Sequence, residues 1–364
     1  MKKILLKLLS LVVMTVLSFN ILVSCQTVEE ELPEQTEEQE IIPVYNPVSR
    51  RDAADPFMTY DSDTGYYYAL FTLGNRIEIF RSKHAATILK SRDSKIIYKA
   101  NKADGIYGGI WAPEMHKGTD GKWYIYTSGK TDPNSNVNHL FVMQAQTDDP
   151  FGEWSFKGVL MPELYCIDPT VFTLDAIVLE KQYLCYSRVD EEDGQVLELC
   201  EMINPYTCSD NRVTIAKAEL EWELVEPYTD KNAIVEGPFF LNKDGRLFII
   251  YSANGCWSNS YSLGVLEHLD GDIMDAKNWE KHPEPLLTMG NGVYGPGHAS
   301  FFESPDGSEI WCAYHGMTAS NDSAAPATRC FNIQKVDFDS TGFPIMGKPV
   351  GNKVRLIPPS GEAE

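Results

Sequence analysis

Positive charge is scarce in this chain of 364 residues: 31 Lys and Arg stand against 52 Asp and Glu, a formal net charge of −21. Such a surface repels polyanions, which excludes nucleic acid as a partner, whereas a neutral ligand such as a sugar is not penalised. Cysteine occurs eight times but never as a Cys-x-x-Cys pair, so the usual zinc frameworks are missing. Convincing helical periodicity is nearly absent after the first two dozen residues. What is abundant is aromatic: 18 Tyr, 16 Phe and 7 Trp, in a chain that is 43% hydrophobic and carries 26 Gly and 21 Pro. This is enough apolar matter for a large core, and it rules out a disordered chain. The aromatic share leans towards strands and towards ligands with flat faces.

The N-terminus reads as an address. Lys2, Lys3 and Lys7 accompany an apolar run from Leu5 to Val23, which closes on Leu22-Val23-Ser24-Cys25. A basic start, an apolar middle and small residues at the end describe a secretory signal over residues 1–24. The cysteine that follows resembles a bacterial lipobox, which implies that Cys25 is the lipidated first residue of the mature chain. The rival reading is a membrane-spanning anchor with an incidental Cys. Loss of the signal, with its three Lys and no acid, deepens the charge from −21 to −24. Residues 25–47 form an acidic tether. Glu29, Glu30, Glu31, Glu34, Glu37, Glu38 and Glu40 follow one another with no basic residue between Gln26 and Ile42. Such a run self-repels and stays extended. It resembles the stretch behind the lipidated Cys of surface-exposed bacterial lipoproteins. That likeness implies an exported protein held at the outer membrane by its lipid alone, on either face. Seven cysteines remain beyond Cys25. The number is odd, so at least one is unpaired, and the sequence does not choose a disulfide.

The body, residues 48–364, repeats itself. Asp61-Ser62-Asp63-Thr64-Gly65, Thr119-Asp120-Gly121, Lys243-Asp244-Gly245 and Pro305-Asp306-Gly307 are hairpin turns. A strand follows each: Tyr66 to Leu73, Lys122 to Ser128, Arg246 to Ser252 and Glu309 to His315. The strands that open the units share a pattern too: Ala54-Asp55-Pro56-Phe57, Ala112-Pro113-Glu114-Met115, Ile167-Asp168-Pro169, Val235-Glu236-Gly237-Pro238 and Gly297-His298-Ala299. From Asp55 to His298 the repeat averages about 61 residues, a period of propeller blades with about four strands each. The expected fold is therefore all-β, a five-bladed β-propeller. Each first strand would lie at the central axis and present a polar residue to one mouth of the funnel. Three of these positions are read as carboxylates, Asp55, Asp168 and Glu236. Glycosidic cleavage needs one protonated carboxyl and one ionised carboxyl. A third negative charge keeps the acid protonated.

These five motifs in order, with Gly109-Ile110-Trp111-Ala112-Pro113-Glu114-Met115-His116 in the second, make the chain resemble glycoside hydrolase family 43 from about Arg50 to Pro358. The resemblance implies Asp55 as general base, Glu236 as general acid and Asp168 as the group that raises and orients the acid. It implies inversion by a single displacement, with the acid and base about 6.5–9.5 Å apart. It implies no cofactor for the chemistry. The matching histidine, His298, would help to hold a structural calcium or a water cluster at the axis, or would simply pack there. Trp111 is expected as an apolar wall of the sugar pocket, Trp257 at its rim, Tyr294 at its border and Arg329 as an arginine reaching in from the last blade. Core packing competes for Trp111 and Tyr294, and surface salt bridging for Arg329. His116 is expected behind the site. The substrate class implied is a plant cell-wall pentose oligosaccharide or polysaccharide. The stretch Tyr251 to Trp257 with Tyr261 to Gly264 is similar to members acting on α-L-arabinofuranosides, which favours an exo-acting arabinofuranosidase over a β-xylosidase or an endo-arabinanase. A xylosidase whose pocket is closed by a C-terminal β-sandwich fits less well, because the chain ends shortly after Pro359. Ala299, where many members have Asn, puts fine specificity in doubt. A non-catalytic glycan-binding lipoprotein is the alternative of another class, and the presence of both Asp55 and Glu236 weighs against it.

Overall fold

The computed structural model describes residues 42–174, 180–190, 192–225, 227, 229, 232–321 and 328–362. The signal, Cys25 and most of the acidic tether lie outside the described residues. Within them, five four-stranded antiparallel sheets follow one another, each with its strands in chain order. Blade one comprises Phe57–Asp61, Tyr66–Leu70, Arg76–Ser82 and Ser94–Lys99. Blade two comprises Trp111–Lys117, Trp123–Lys130, Asn138–Ala145 and Trp154–Leu160. Blade three holds Cys166–Leu174, Lys181–Asp190, Gly194–Asn204 and Thr207–Ala216. Blade four holds Val235–Lys243, Arg246–Ala253, Ser262–His268 and Trp279–Lys281. Blade five holds Tyr294–Glu303, Ile310–Met317, Arg329–Phe338 and Pro344–Ile345. The first strand of each blade touches that of the next, and blade five's touches blade one's. This closed ring is the five-bladed β-propeller expected above. Helical structure among the described residues is limited to three-residue 3-10 turns.

Local sequence explains the repeat. The glycine of each expected hairpin, Gly65, Gly121, Gly245 and Gly307, has a left-handed φ between 69° and 86°, which a side chain would strain. The second strands, such as Trp123–Lys130, are buried over nearly their whole length. Both of their faces pack against neighbouring blades, so they read as continuous apolar runs rather than alternations.

The inner strands carry a further repeat. Asp55, Ala112, Asp168, Gly237 and His298 all have φ between 43° and 55°. Their spacings are 57, 56, 69 and 61 residues. At each, the inner strand gains one residue relative to its partner: pairing jumps from Trp111 to Glu114, from Ile167 to Thr170, from Glu236 to Phe239 and from Gly297 to Ser300. Blade one does the same between the Thr72–Ala54 bond and the Phe57–Leu70 pair. These are β-bulges, which re-aim a side chain at the cost of local strain. Asp and His tolerate the left-handed region better than most residues. The register corrects one expectation. Asp55 and Asp168 occupy the bulge, but Glu236 stands one residue before it. The equivalent of Glu236 in blade two is Trp111. The bulge residue there is Ala112, so a polar residue does not open every blade.

Beyond the bulges the axis is filled by rings. Phe57 meets His116 edge-on at 5.3 Å, and Phe239 lies 6.3 Å from Phe57 and 5.8 Å from Phe301. His116 also bonds Glu114 at 2.7 Å.

The chain's N-terminal part seals the ring. Val44–Tyr45 pairs with Arg355–Leu356, and Ser49 bridges Phe331 in the third strand of blade five. Asn46, buried, donates to the Ile333 carbonyl at 2.8 Å and accepts from the Ile333 amide at 3.1 Å. One side chain thus satisfies both polar groups of a strand edge. Asn46→Ala strips both bonds and is expected to cost about 1–3 kcal/mol, read as a lower urea midpoint with an unchanged slope. An unchanged midpoint would show that the seal carries no stability.

Candidate active site

Asp55, Asp168 and Glu236 come from the inner strands of blades one, three and four, and they converge. All three are nearly buried, at 9%, 6% and 8% exposure, yet each retains some access to solvent. Asp55 is the best-served carboxylate. Its Oδ1 lies 3.2 Å from Arg329 Nη1 and 3.4 Å from Nδ1 of both His298 and His315. Thr72 Oγ1 donates to its Oδ2 at 2.6 Å and itself accepts the Ala112 amide at 2.8 Å, tying blade one to blade two. The Asp55 amide lies 3.2 Å from His315 Nδ1, the nitrogen that also faces Asp55 Oδ1. Burial holds His315 down at about 4. Burial also pushes the Asp55 carboxyl up, but Arg329 first, then His298 and His315, hold it well below the usual carboxylate range.

The other two carboxyls make no contact with Arg329, whose charge reaches Glu236 only from a distance. Burial pushes Glu236 up to about 7, and the Asp55 charge adds to the rise. Its two oxygens accept from Tyr261 Oη at 2.9 Å and from Gln195 Nε2 at 3.2 Å, bonds that partly oppose the rise. Burial, then the charges of Glu236 and Asp55, raise Asp168 well above its ordinary value. Asp168 and Glu236 therefore do not both ionise near neutral pH, and together they retain a proton. Asp168 Oδ2 accepts the Gly237 amide at 3.1 Å, which anchors the backbone directly after Glu236. His298 Nδ1 sits between the two aspartates, 4.0 Å from Asp168. Gly237 permits this: a Cβ there would lie 3.1 Å from the His298 ring.

One ionised carboxylate and one protonated carboxyl on the same funnel mouth suit acid–base chemistry at a neutral bond. A model of Glycosyl hydrolases family 43 matches residues 44–344. The chain belongs to this family. It is 30% identical over 326 residues to an extracellular exo-α-(1→5)-L-arabinofuranosidase of Streptomyces avermitilis, a match covering 86% of this chain and 65% of that protein. The enzyme of the same name from Streptomyces chartreusis is 31% identical over 283 residues, covering 75% of this chain and 82% of the other. Among solved structures, an α-L-arabinofuranosidase from Lactobacillus brevis superposes with a TM-score of 0.76 at 27% identity, over 85% of this chain and 98% of that one.

Around these three carboxylates, the remaining expected residues fall unevenly. Arg329 reaches Asp55 rather than a surface partner. Its guanidinium also lies 3.4 Å from Cys256 Sγ, so the loop after blade four's second strand borders the site. Trp257, next on that loop, is 59% exposed, and its carbonyl is held by the Asn321 amide. Trp111 is partly exposed at the register position of Glu236. Tyr294 opens the inner strand of blade five and is partly buried, and among the described residues it bonds none of the three carboxylates. Ala299 is buried in the apolar core. The calcium expectation gains no support. His298 directs Nδ1 at carboxylates already served by Arg329 and Gly237, and no group of three His, Cys, Asp or Glu among the described residues is spaced to hold a metal. Four contributors went unassigned in the sequence: Thr72, His315, Tyr261 and Gln195. His315 ends a strand that the repeat located, and Tyr261 lies in a stretch similar to arabinofuranosidases. Thr72 and Gln195 carry no local signal.

Arg329 is the cation that keeps Asp55 ionised. Arg329→Met removes it, so the Asp55 carboxyl should titrate about 1–3 pH units higher, observed by carbon NMR of labelled Asp. An unmoved midpoint would assign the low value to the two histidines instead.

Proposed function

We propose that this chain is an inverting exo-α-L-arabinofuranosidase that releases arabinose from plant arabinan or arabinoxylan. The observation that carries this is the contrast between Asp55, held ionised by Arg329, and Glu236, kept protonated up to about 7 by burial. In this reading the glycosidic oxygen of a terminal arabinofuranosyl unit faces Glu236, and a water on the opposite side of the ring faces Asp55. Asp55 takes a proton from the water as its oxygen bonds the anomeric carbon. The carbon–oxygen bond to the leaving sugar breaks, and Glu236 gives its proton to the departing oxygen. Asp168 acts through Glu236 in two ways. Its charge, when present, disfavours ionisation of the acid, and its bond to the Gly237 amide fixes the acid's backbone. Trp111 and Trp257 supply apolar surface for the sugar, and Arg329 lines the wall beside the base. The names of both Streptomyces relatives, each an exo-α-(1→5)-L-arabinofuranosidase, favour arabinose over xylose. We also propose export and lipidation at Cys25, from the signal and the lipobox-like cysteine. The naming of those relatives as extracellular fits export.

The sign of the pH dependence follows from the two groups. Glu236 is a competent acid below about 7 and loses its proton above it. Asp55 stays an ionised base well below the usual carboxylate range. On nitrophenyl α-L-arabinofuranoside, kcat/KM should therefore be flat on the acid side of neutrality and fall along an alkaline limb near 7. On unactivated arabino-oligosaccharides Glu236→Gln should lose about 10²–10⁴-fold in kcat. The first sugar seen by proton NMR should have inverted configuration. Near-normal turnover by the Gln variant would reject the acid assignment. Faster cleavage of the xylopyranoside would move the specificity to xylose.

Membrane attachment has its own check. Cys25→Ala should shift the protein from the membrane fraction to the soluble fraction. An unchanged partition would leave the apolar run itself as the anchor.

A further inference from the structure

Tyr261 is fully buried and is gripped on every side. Its ring stacks on His315 at 5.4 Å with an interplanar angle of 4°. Its edge lies against Gly297, where a Cβ would come within 2.3 Å of the ring. Its hydroxyl donates to Glu236 Oε1 at 2.9 Å.

The other oxygen is set differently. Ser187 Oγ donates to the Val235 carbonyl at 2.9 Å and so accepts from Gln195 Nε2 at 3.2 Å. That turns the Gln195 amine, and its second N–H, to Glu236 Oε2. Oε1 is occupied by a hydroxyl donor at 2.9 Å, whereas Oε2 has an amide donor at 3.2 Å. Building on the proposed role of Glu236 as the acid, we infer that Tyr261 is a positioning residue that reserves Oε1 as an acceptor and so places the transferable proton on Oε2. Tyr261 never touches the reacting atoms. It decides which carboxyl oxygen serves the leaving group, and because it donates to the ionised form it also sets where the alkaline limb falls. Glu236 is faced by Asp55, Asp168, Arg329, the Cys256 thiol and the Tyr165 phenol as well. Burial and the charge of Glu236 keep the Tyr261 phenol protonated, far above its ordinary range, so it remains a donor throughout.

Two replacements at this one position separate the role from simple packing. Tyr261→Phe keeps the ring and the stack on His315 and removes only the donor. The alkaline limb of kcat/KM should move up by about one pH unit, with kcat down about tenfold or more and KM within about twofold. Incorporation of 3-fluorotyrosine, a more acidic phenol and a stronger donor, should move the limb the other way. A packing residue would move neither limb, and coincident limbs in wild type and both replacements overturn the inference. Should the Phe protein fail to fold, the fluorotyrosine shift decides alone. Glu236→Gln is run alongside. If it loses activity while the Tyr261 limbs stay fixed, only this inference fails; if it keeps activity, the acid assignment beneath it fails first.

Discussion

Three nearly buried carboxyl groups meet at one end of the axis, and among the described residues a single guanidinium lies against them. It touches Asp55 alone. That asymmetry divides the trio. The carboxylate beside the cation stays ionised in spite of burial. The two without it repel one another and hold a proton into the neutral range. Equal treatment of all three would give either a uniformly charged cluster, which burial opposes, or a uniformly protonated one with no base. A single buried Arg–Asp contact thus leaves ionised and protonated carboxyls among side chains of the same kind.

The propeller makes this arrangement possible by geometry rather than by local sequence. Each inner strand ends its approach to the funnel in a left-handed bulge, and the bulge sets what its residue faces. In blades one and three that residue is Asp; in blade five it is His298, whose ring lies between the two aspartates. In blade four it is Gly237, whose missing side chain leaves room for that ring, while Glu236 is the residue before it. Glu236 therefore approaches from a different register and is held by Tyr261 and Gln195, not by the partners of Asp55. An aromatic plug of Phe57, His116, Phe239 and Phe301 lies beyond the bulges, so the polar groups gather at one end of the axis.

Much of this was legible in the sequence. Turn glycines, repeating inner-strand motifs and a period of about sixty residues gave the blade count and the trio, because a propeller places equivalent residues together whatever their separation in the chain. The same logic misaligned Glu236: a bulge adds a residue without leaving a mark in composition, and only the backbone angles show that Gly237, not Glu236, matches Asp55. Arg329 was named but not its partner, since salt-bridge partners 274 residues apart carry no common pattern. Thr72, His315, Tyr261 and Gln195 were unassigned for a related reason. They sit on second and third strands and connecting segments, where an inward polar residue looks like any other hydrogen-bonding core residue.

The most direct test of the account is a crystal structure of the Glu236→Gln protein with an arabino-oligosaccharide bound. The account predicts a terminal furanose ring enclosed between blades one and four, with its glycosidic oxygen within hydrogen-bonding distance of residue 236 and a water between Asp55 and the anomeric carbon. A sugar seated away from the carboxylates, or one whose scissile oxygen faces Asp55, would contradict it.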